Sequence, residues 1–227
     1  MKIVIAASKS WFSNYEEIGK LSDLQILWLR NREDLQLEKL IEFKPEYVFF
    51  PHWNWVIDKS IYNTFKCIVF HTAPLPYGRG GSPIQNLILE GFKTSPVNAI
   101  LVGEEIDAGD ILGSREVSLD GKLSEIFTRI SGIVIELILE ITSGEFVSVP
   151  QSGIPVIFKR RTGTDNQIPS TNIGLVDLYD RIRMLDSPDY PKAYIAQGNF
   201  VVEFFNAHLV DGTLAAQAIF KVKQNKD

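Results

Sequence analysis

The sequence has 227 residues, of which 45% are hydrophobic, so it can bury a full core, and we expect one domain with an appended subdomain. A net charge of -5 and a pI of about 5.3 argue against a dedicated nucleic-acid binder, which would carry a basic face. The single cysteine, Cys67, excludes a disulfide framework, and together with the lack of a signal-peptide pattern it predicts a cytoplasmic protein.

Strand and helix patterns alternate over the first 70 residues. Apolar β-prone runs predict strands at 2–7, 25–30, 46–51 and 67–72, and helical spacing predicts helices at 15–21 and 34–43. This alternation is typical of a doubly wound α/β sheet, in which ligands bind beyond the carboxyl ends of the strands, near the point where strand order reverses. We expect the first and fourth strands to be neighbours there, so that the loop at 8–11 shares a crevice with the residues after the fourth strand. No G-x-G-x-x-G follows the first strand, which argues against a dinucleotide site.

A histidine, His71, lies where the fourth predicted strand ends. The proline-containing segment that follows stops the strand, and the glycines at 78–81 allow a tight turn. Ser82 is predicted to cap a helix that begins at Pro83 and reaches about residue 90, a role that is better supported than a nucleophilic one because no G-x-S-x-G surrounds it. A helix N-terminus is therefore expected beside the histidine.

The second half of the chain begins with a predicted strand at 97–102, an acidic loop at 104–110 and a strand at 111–119. The loop lacks the full ligand spacing of a calcium site, so no metal is predicted. Apolar residues at core spacing, interrupted by charges, predict a packed helix at 123–142 and not a membrane span. From residue 150 the alternation is lost, and we expect only a short helix at 176–185 and a strand at 200–205.

Two motifs carry a family resemblance. His71, Pro76, Arg79 and Gly80 keep the register of the Asn-x-His, Pro-Ser-Leu-Leu-Pro and Arg-Gly pattern of the folate-dependent formyltransferases, and the loop at 105–110 is similar to their Asp-x-Gly-Asp signature. The chain most resembles the nucleotide-sugar N-formyltransferases, with a core like that of methionyl-tRNA formyltransferase but no room for its C-terminal tRNA-binding barrel. The resemblance implies a Rossmann-like catalytic core at 1–149 and a small C-terminal α+β subdomain at 150–227.

The resemblance implies a transferase that moves a formyl group from N10-formyltetrahydrofolate to the amine of a nucleotide-linked amino sugar. The expected sugar is a 4-amino-4,6-dideoxyhexose used in surface polysaccharide biosynthesis. We expect no nucleic-acid or membrane partner, and a homodimer is left open. Two alternatives also stay open: a small-nucleotide formyltransferase like the glycinamide ribonucleotide enzyme, and a non-catalytic protein that binds folate or a nucleotide sugar.

The resemblance also assigns catalytic roles. His71 would donate a hydrogen bond to the oxyanion of the tetrahedral intermediate, and Asp107 would orient the imidazole and accept the proton that the amine loses. The family has a catalytic asparagine two positions before the histidine, where this chain has Val69. The replacement donor is either the Asn54 amide or the Thr72 hydroxyl. We favour Asn54, because strand alternation turns Thr72 away from His71.

Binding roles follow from the resemblance and from position. The residues assigned to the folate co-substrate are Trp53, Trp55, Leu75, Val102, Gly103 and Glu105. Those assigned to the acceptor substrate are Ser8, Lys9, Pro76, Tyr77, Arg79 and Gly80. The alternatives are that the two tryptophans only close the end of the sheet and that Arg79 is a solvated surface residue.

Overall fold

A computed structural model of the protein describes residues 1–9, 12, 23–144, 146–188 and 190–223. The strands of the central sheet are β1 (Lys2–Ala7), β2 (Gln25–Leu29), β3 (Tyr47–His52), β4 (Lys66–Thr72), β6 (Thr94–Leu101) and β7 (Ile111–Ser118). Their order is β2-β1-β3-β4-β6-β7. The pairs among β1, β2, β3 and β4 are parallel, and β6 pairs antiparallel with both β4 and β7. This mixed sheet confirms the predicted α/β class; the helix predicted at 15–21 lies outside the described residues.

Helices cover both faces of the sheet. They are α1 (Leu37–Phe43), α2 (Lys59–Thr64), α3 (Pro83–Leu89), α4 (Leu123–Ser143) and α5 (Leu175–Arg183), with 3-10 turns at Arg32–Asp34 and Gly163–Asn166. Alternate residues of β1 enter two different cores: Ile3 packs in the core under α4, and Val4 packs in the core that holds Leu40 of α1 and Ile61 of α2. The strands are therefore apolar at consecutive positions, as parallel strands buried on both faces must be.

The helix α4 has the packing that its sequence predicts. Eight of its apolar side chains are buried, and it packs against β7, where Leu137 lies over Gly113. The backbone N–H of Lys122 donates to the Glu125 carboxylate at the start of the helix, and Gly144 ends it with a φ of 83°. Within the described ranges, no helix is long and apolar enough to cross a membrane.

The expectation that the first and fourth strands are neighbours is wrong. β3 lies between β1 and β4, because the chain passes from β1 to β2 on one side and then crosses back to β3 on the other. The ends of β1 and β3 are joined by a hydrogen bond from the Ser8 N–H to the His52 carbonyl at 3.0 Å. The carboxyl ends of β1, β3 and β4 thus meet at one edge, with the end of β3 in the middle.

Ser82 occupies the N-cap position of α3 and Pro83 begins the helix, as predicted, but the predicted side-chain capping bond is not formed. Ser82 has a left-handed backbone with a φ of 53°, and its hydroxyl accepts the backbone N–H of Arg161 instead of capping the helix. The glycine loop before it forms a short strand, β5 (Tyr77–Gly80), which pairs in parallel with β8 (Val156–Phe158). Gly80 is needed there, because its φ is 96° and a Cβ would lie 2.6 Å from the Phe158 carbonyl oxygen. Tertiary contact with β8 therefore decides the shape of this loop.

The C-terminal strands form a separate antiparallel sheet. It contains β9 (Ala193–Gln197), β10 (Phe200–Val210) and β11 (Thr213–Val222) in the order β11-β10-β9, with α5 against β10. Arg183 of α5 fastens this part to the core, since its guanidinium donates to Asp180 and to the carbonyls of Leu119 and Gly121. The predicted strand at 200–205 continues to Val210, and β9 and β11 were not predicted. The division of the chain at 149/150 stays a prediction.

Candidate active site

A cavity of about 650 Å³ opens at the edge where β3 and β4 end, a size that suits a small-molecule ligand. Nine of the predicted site residues line it: Trp53, Asn54, Trp55, His71, Gly80, Val102, Gly103, Glu105 and Asp107. The segments that carry them are separated in the chain by up to about fifty residues, so the strand order brings them together.

His71 is held at the end of β4 by contacts at both ring nitrogens. Its Nε2 donates to the Gly78 carbonyl at 2.7 Å, which requires a proton on Nε2 because a carbonyl only accepts. Its Nδ1 lies 3.3 Å from Oδ2 of Asp107. That separation exceeds the distance of about 2.7–2.9 Å for a charge-assisted hydrogen bond. Nδ1 is therefore the ring nitrogen that can still engage another partner.

Asp107 lies in the loop between β6 and β7, with a left-handed φ of 53° that aspartate tolerates better than most residues. Its Oδ2, which faces His71, also accepts the Gly80 N–H at 2.9 Å. The loop backbone passes so close to the end of β6 that only glycine fits at position 109, where a Cβ would lie 1.8 Å from the Leu101 carbonyl oxygen. The carboxylate is thus positioned by its own backbone and by the end of β5.

Gln151 fixes this loop, although no motif or periodicity in the sequence pointed to this residue. Its amide nitrogen donates to the carbonyls of Asp107 and Gly109, each at 2.8 Å. Its amide oxygen accepts two bonds from Arg79, at 3.0 and 2.8 Å. Arg79 also lies 3.8 Å from Glu105 and is not part of the cavity wall. The structure therefore gives Arg79 a supporting position, and neither the predicted anion clamp nor a solvated surface residue describes it.

The two candidate replacements for the missing asparagine both line the cavity. Val69 itself packs in the apolar cluster that includes Trp53. The Asn54 amide donates to the Ser8 hydroxyl at 3.4 Å and accepts from Arg160 at 3.2 Å. Thr72 is buried and follows His71 directly on β4, so its side chain leaves the strand on the opposite face. The long Ser8 contact leaves the Asn54 amide N–H able to reach a ligand.

Aromatic side chains in the segment just after β3 form one wall of the cavity, which we call the aromatic wall. Trp53 and Trp55 meet edge to face, with ring centroids 4.8 Å apart, and Trp53 also packs against Phe50. Trp53 Nε1 is buried and has no hydrogen-bond partner in the described part of the chain. An indole N–H in that position costs free energy unless an acceptor binds it. The wall therefore combines apolar ring surface with one donor that has no partner among the described residues.

Five other predicted residues do not line the cavity: Ser8, Lys9, Leu75, Pro76 and Tyr77. The Ser8 hydroxyl accepts a hydrogen bond from the Asn54 amide. The Lys9 ammonium lies 5.7 Å from the ring centre of Tyr190, which does line the cavity. Tyr77 points elsewhere, because its hydroxyl donates to Glu90. The remainder of the predicted loop at 8–11, Ser10 and Trp11, lies outside the described residues.

Two arginines that were not predicted as site residues line the cavity. Arg160 and Arg161 follow β8, and Arg160 donates to Asn54. Nε of Arg161 is buried and has no hydrogen-bond partner among the described residues. Burial lowers the pKa of Arg161, Arg181 adds repulsion, and Asp165 opposes both. The basic run at 159–161 was visible in the sequence, but the pairing of the preceding strand β8 with β5 was not.

Comparison with known proteins decides the family. The solved methionyl-tRNA formyltransferase from Clostridium thermocellum is 38% identical to this chain, with a TM-score of 0.95, and the match covers 98% of this chain and 100% of that one. The chain belongs to the formyltransferase family. The predicted resemblance is confirmed at this level. In addition, residues 164–221 match the family model described as the C-terminal domain of methionyl-tRNA formyltransferase.

Other relatives of this formyltransferase are more distant. The methionyl-tRNA formyltransferase from Campylobacter curvus is 27% identical over 86% of this chain, which spans only 64% of that protein. HypX from Aquifex aeolicus, solved in complex with tetrahydrofolic acid, is 19% identical with a TM-score of 0.76, over 91% of this chain and 38% of that one. A sugar N-formyltransferase from Shewanella sp. is 16% identical with a TM-score of 0.66, over 100% and 99%. The finer resemblance to sugar enzymes is not confirmed.

We predict that Gln151→Ala loosens the loop that carries Asp107. The substitution removes the hydrogen bonds of Gln151 with Asp107, Gly109 and Arg79 at once. The free energy of unfolding, measured by urea denaturation, should therefore fall by about 1–3 kcal/mol. Amide exchange at 104–110 should accelerate in the same variant. Gln197→Ala, which removes an exposed glutamine, is the control and should change neither quantity. Unchanged exchange in Gln151→Ala would show that the loop is held by other contacts.

Proposed function

We propose that the protein transfers a formyl group from N10-formyltetrahydrofolate to the amine of a nucleotide-linked amino sugar. The observation that carries the proposal is the pair of His71 and Asp107, 3.3 Å apart in the wall of a cavity that has aromatic side chains on one side and arginines on the other. A donor group, a carboxylate and a mixed apolar and cationic cavity are what this transfer requires.

The reaction requires that an oxyanion be stabilised and that a proton be transferred from the amine. The neutral amine attacks the formyl carbon, a C–N bond forms, and the carbonyl oxygen becomes an oxyanion. The bond from that carbon to N10 of the folate then breaks, and the proton lost by the amine is delivered to N10. Fixed donors aimed at the oxyanion and a base near the amine lower the barrier of these steps.

His71 suits the first requirement. The Gly78 carbonyl fixes the ring and keeps Nε2 protonated, so Nδ1 faces the cavity side of Asp107. When both nitrogens carry protons, Nδ1 donates to the oxyanion while Asp107 compensates the ring's charge. Because Gly80 and Gln151 already hold Asp107, little reorganisation accompanies the reaction.

Asp107 suits the second requirement. It is a carboxylate at the cavity surface, 16% exposed, so it can accept a proton from the attacking amine directly or through a water molecule. The amine must be neutral to attack, and the rate should therefore rise with pH until the amine is deprotonated. The same residue thus serves the imidazole and the acceptor substrate.

The aromatic wall is the proposed site of the folate co-substrate. Trp53, Trp55 and Val102 offer apolar surface for a flat ring, and the unpaired Nε1 of Trp53 is a donor for an acceptor atom of that ring. The tetrahydrofolic acid bound by the HypX neighbour supports the ligand class. Leu75 has no part in this wall.

The arginine side is the proposed site of the acceptor. Arg160 and Arg161 present cationic groups that suit a diphosphate, and one Nε is unpaired. The net charge of -5 disfavours a polyanion as large as tRNA. The sugar N-formyltransferase neighbour supports this class of acceptor. The second candidate acceptor is methionyl-tRNA, which the match of residues 164–221 favours.

We predict that His71→Ala and Asp107→Ala each lower kcat by about 10²- to 10³-fold, because each removes a group that acts in the transition state. Binding of tetrahydrofolate, measured by calorimetry, should persist. His208→Ala, a change at an exposed histidine on β10, is the matched control and should keep full activity. Near-native turnover by either site variant would remove the assignment.

The replacement of the family's asparagine has its own test. Asn54→Ala should lose roughly 2.7–4 kcal/mol of transition-state stabilisation with KM little changed, the effect of one oxyanion donor. Thr72→Val should retain kcat, because its hydroxyl leaves β4 on the face away from His71. If Thr72→Val loses activity and Asn54→Ala does not, the hydroxyl is the donor. If both stay active, backbone amides or water supply it.

The acceptor class can be tested by direct competition. Purified protein with labelled N10-formyltetrahydrofolate should formylate a UDP-, dTDP- or GDP-linked 4-amino sugar in preference to methionyl-tRNA. Arg161→Gln should raise KM for the sugar nucleotide about tenfold with kcat little changed, since it removes ground-state binding. Arg32→Gln, at an exposed turn, should not. Efficient formylation of methionyl-tRNA in the same assay would make it the substrate.

A further inference from the structure

The side chain of Asn54 is held between two segments that are distant in the chain. On one side its amide oxygen accepts a hydrogen bond from a guanidinium N–H of Arg160 at 3.2 Å. On the other side its amide nitrogen donates to the Ser8 hydroxyl at 3.4 Å, and that hydroxyl donates to the His52 carbonyl at 3.2 Å. These bonds form a chain that joins the segment after β8 to the ends of β3 and β1.

The direction of this chain of hydrogen bonds is fixed at both ends. A guanidinium only donates and a carbonyl only accepts, so Arg160 faces the oxygen of the Asn54 amide, and the amide nitrogen lies on the other side. That nitrogen carries two N–H groups, and the long contact with Ser8 uses one of them. The second N–H has no acceptor among the described residues and is left for a ligand in the cavity that Asn54 lines.

The backbone that carries Arg160 is fixed against the turn that follows β5. The Gly81 N–H donates to the Phe158 carbonyl at 3.0 Å, and the Arg161 N–H donates to the Ser82 hydroxyl at 3.1 Å. Between these two bonds the segments approach so closely that a Cβ on Gly81 would lie 2.5 Å from the Arg160 Cα. The guanidinium therefore extends from a rigid base.

A cationic donor on the amide oxygen also strengthens the amide as a donor. It draws electron density from the carbonyl group, and the N–H groups of the same amide become better hydrogen-bond donors. A fixed and polarised N–H is what a developing oxyanion requires. The position two before His71 is occupied by Val69, whose side chain cannot donate, so a second side-chain donor beside His71 has to come from another segment.

We propose that Arg160 is a positioning residue for formyl transfer, which fixes and polarises the Asn54 amide so that its second N–H meets the oxyanion. The inference rests on the proposed formyl transfer but not on which acceptor receives the formyl group. Arg160 does not touch the reacting atoms in this arrangement, and it uses one of the five N–H donors of its guanidinium on Asn54. The remaining donors stay available to an anionic group of the acceptor.

Substitution of Arg160 tests this role through kcat. Arg160→Met removes the donor, and kcat should fall about tenfold with KM for the folate unchanged, a smaller loss than that of Asn54→Ala because the amide remains but is no longer fixed. Arg160→Lys, which restores a donor, should regain most of the kcat. Arg160 is exposed, so both variants should fold as the wild type does. Arg115→Met is the matched control, since it removes an arginine that pairs with Glu140 outside the cavity, and it should keep full activity.

A double-mutant cycle separates positioning of the amide from binding of the acceptor. Once Asn54→Ala has removed the amide, adding Arg160→Met should lower kcat at saturating acceptor by no more than about twofold, because no amide is left to position. A full further tenfold loss would show that Arg160 acts on the substrate itself and would overturn the proposal. Full kcat in Arg160→Met, with His71→Ala still impaired, would also overturn it while leaving the proposed function intact.

A second measurement does not require turnover. The side-chain amide of Asn54 gives a pair of signals in a nitrogen–proton correlation spectrum, which are identified by their loss in Asn54→Ala. Arg160→Met should shift this pair and speed the exchange of its protons with solvent, whereas Arg115→Met should do neither. If Arg160→Met leaves the pair unchanged, the bond does not form in solution and the proposal fails, whatever the activity. If the pair shifts but the wild type formylates neither a sugar nucleotide nor methionyl-tRNA, the proposed function fails, and the role of Arg160 in transfer fails with it.

Discussion

The site depends on one carboxylate that is held from three directions. Oδ2 of Asp107 accepts the Gly80 N–H and faces Nδ1 of His71, and the Asp107 carbonyl accepts the side chain of Gln151. These contacts join the loop after β6, the strand β5 and the segment before β8. Because Gly80 and Gly109 permit approaches that a Cβ would block, the loop is set before any substrate binds. Such preorganisation is what makes an electrostatic contribution to catalysis large.

The cavity combines an apolar surface with donors that lack partners. The indole N–H of Trp53 and the Nε of Arg161 are buried, and neither has a partner among the described residues. Each unpaired donor costs stability in the free protein, and a ligand that brings an acceptor to it recovers that cost. The two donors lie on different segments, one after β3 and one after β8. A ligand, or a pair of ligands, that accepts hydrogen bonds from both donors must therefore extend across the cavity.

The C-terminal sheet is attached to the core at one side and exposed at its outer strand. Its inner side is fastened to the core through Arg183, whose guanidinium reaches Asp180 and two backbone carbonyls. Its outer strand, β11, is exposed at nine of its ten residues. A strand with both a free edge and apolar side chains has unsatisfied backbone groups and an unburied surface together.

The sequence by itself determined the alternation of strands and helices, the core face of α4, the place of His71 at the end of a strand and that of Asp107 in an acidic loop. Those features follow from local hydrophobic period and short motifs. Only the tertiary structure decided that β3 lies between β1 and β4, that Ser82 accepts Arg161, that Arg79 is bound by Gln151 and that Arg160 and Arg161 line the cavity. Each of these depends on contacts between residues about 70 or more positions apart or on strand order. Hydrophobic period carries no information about which distant segments meet.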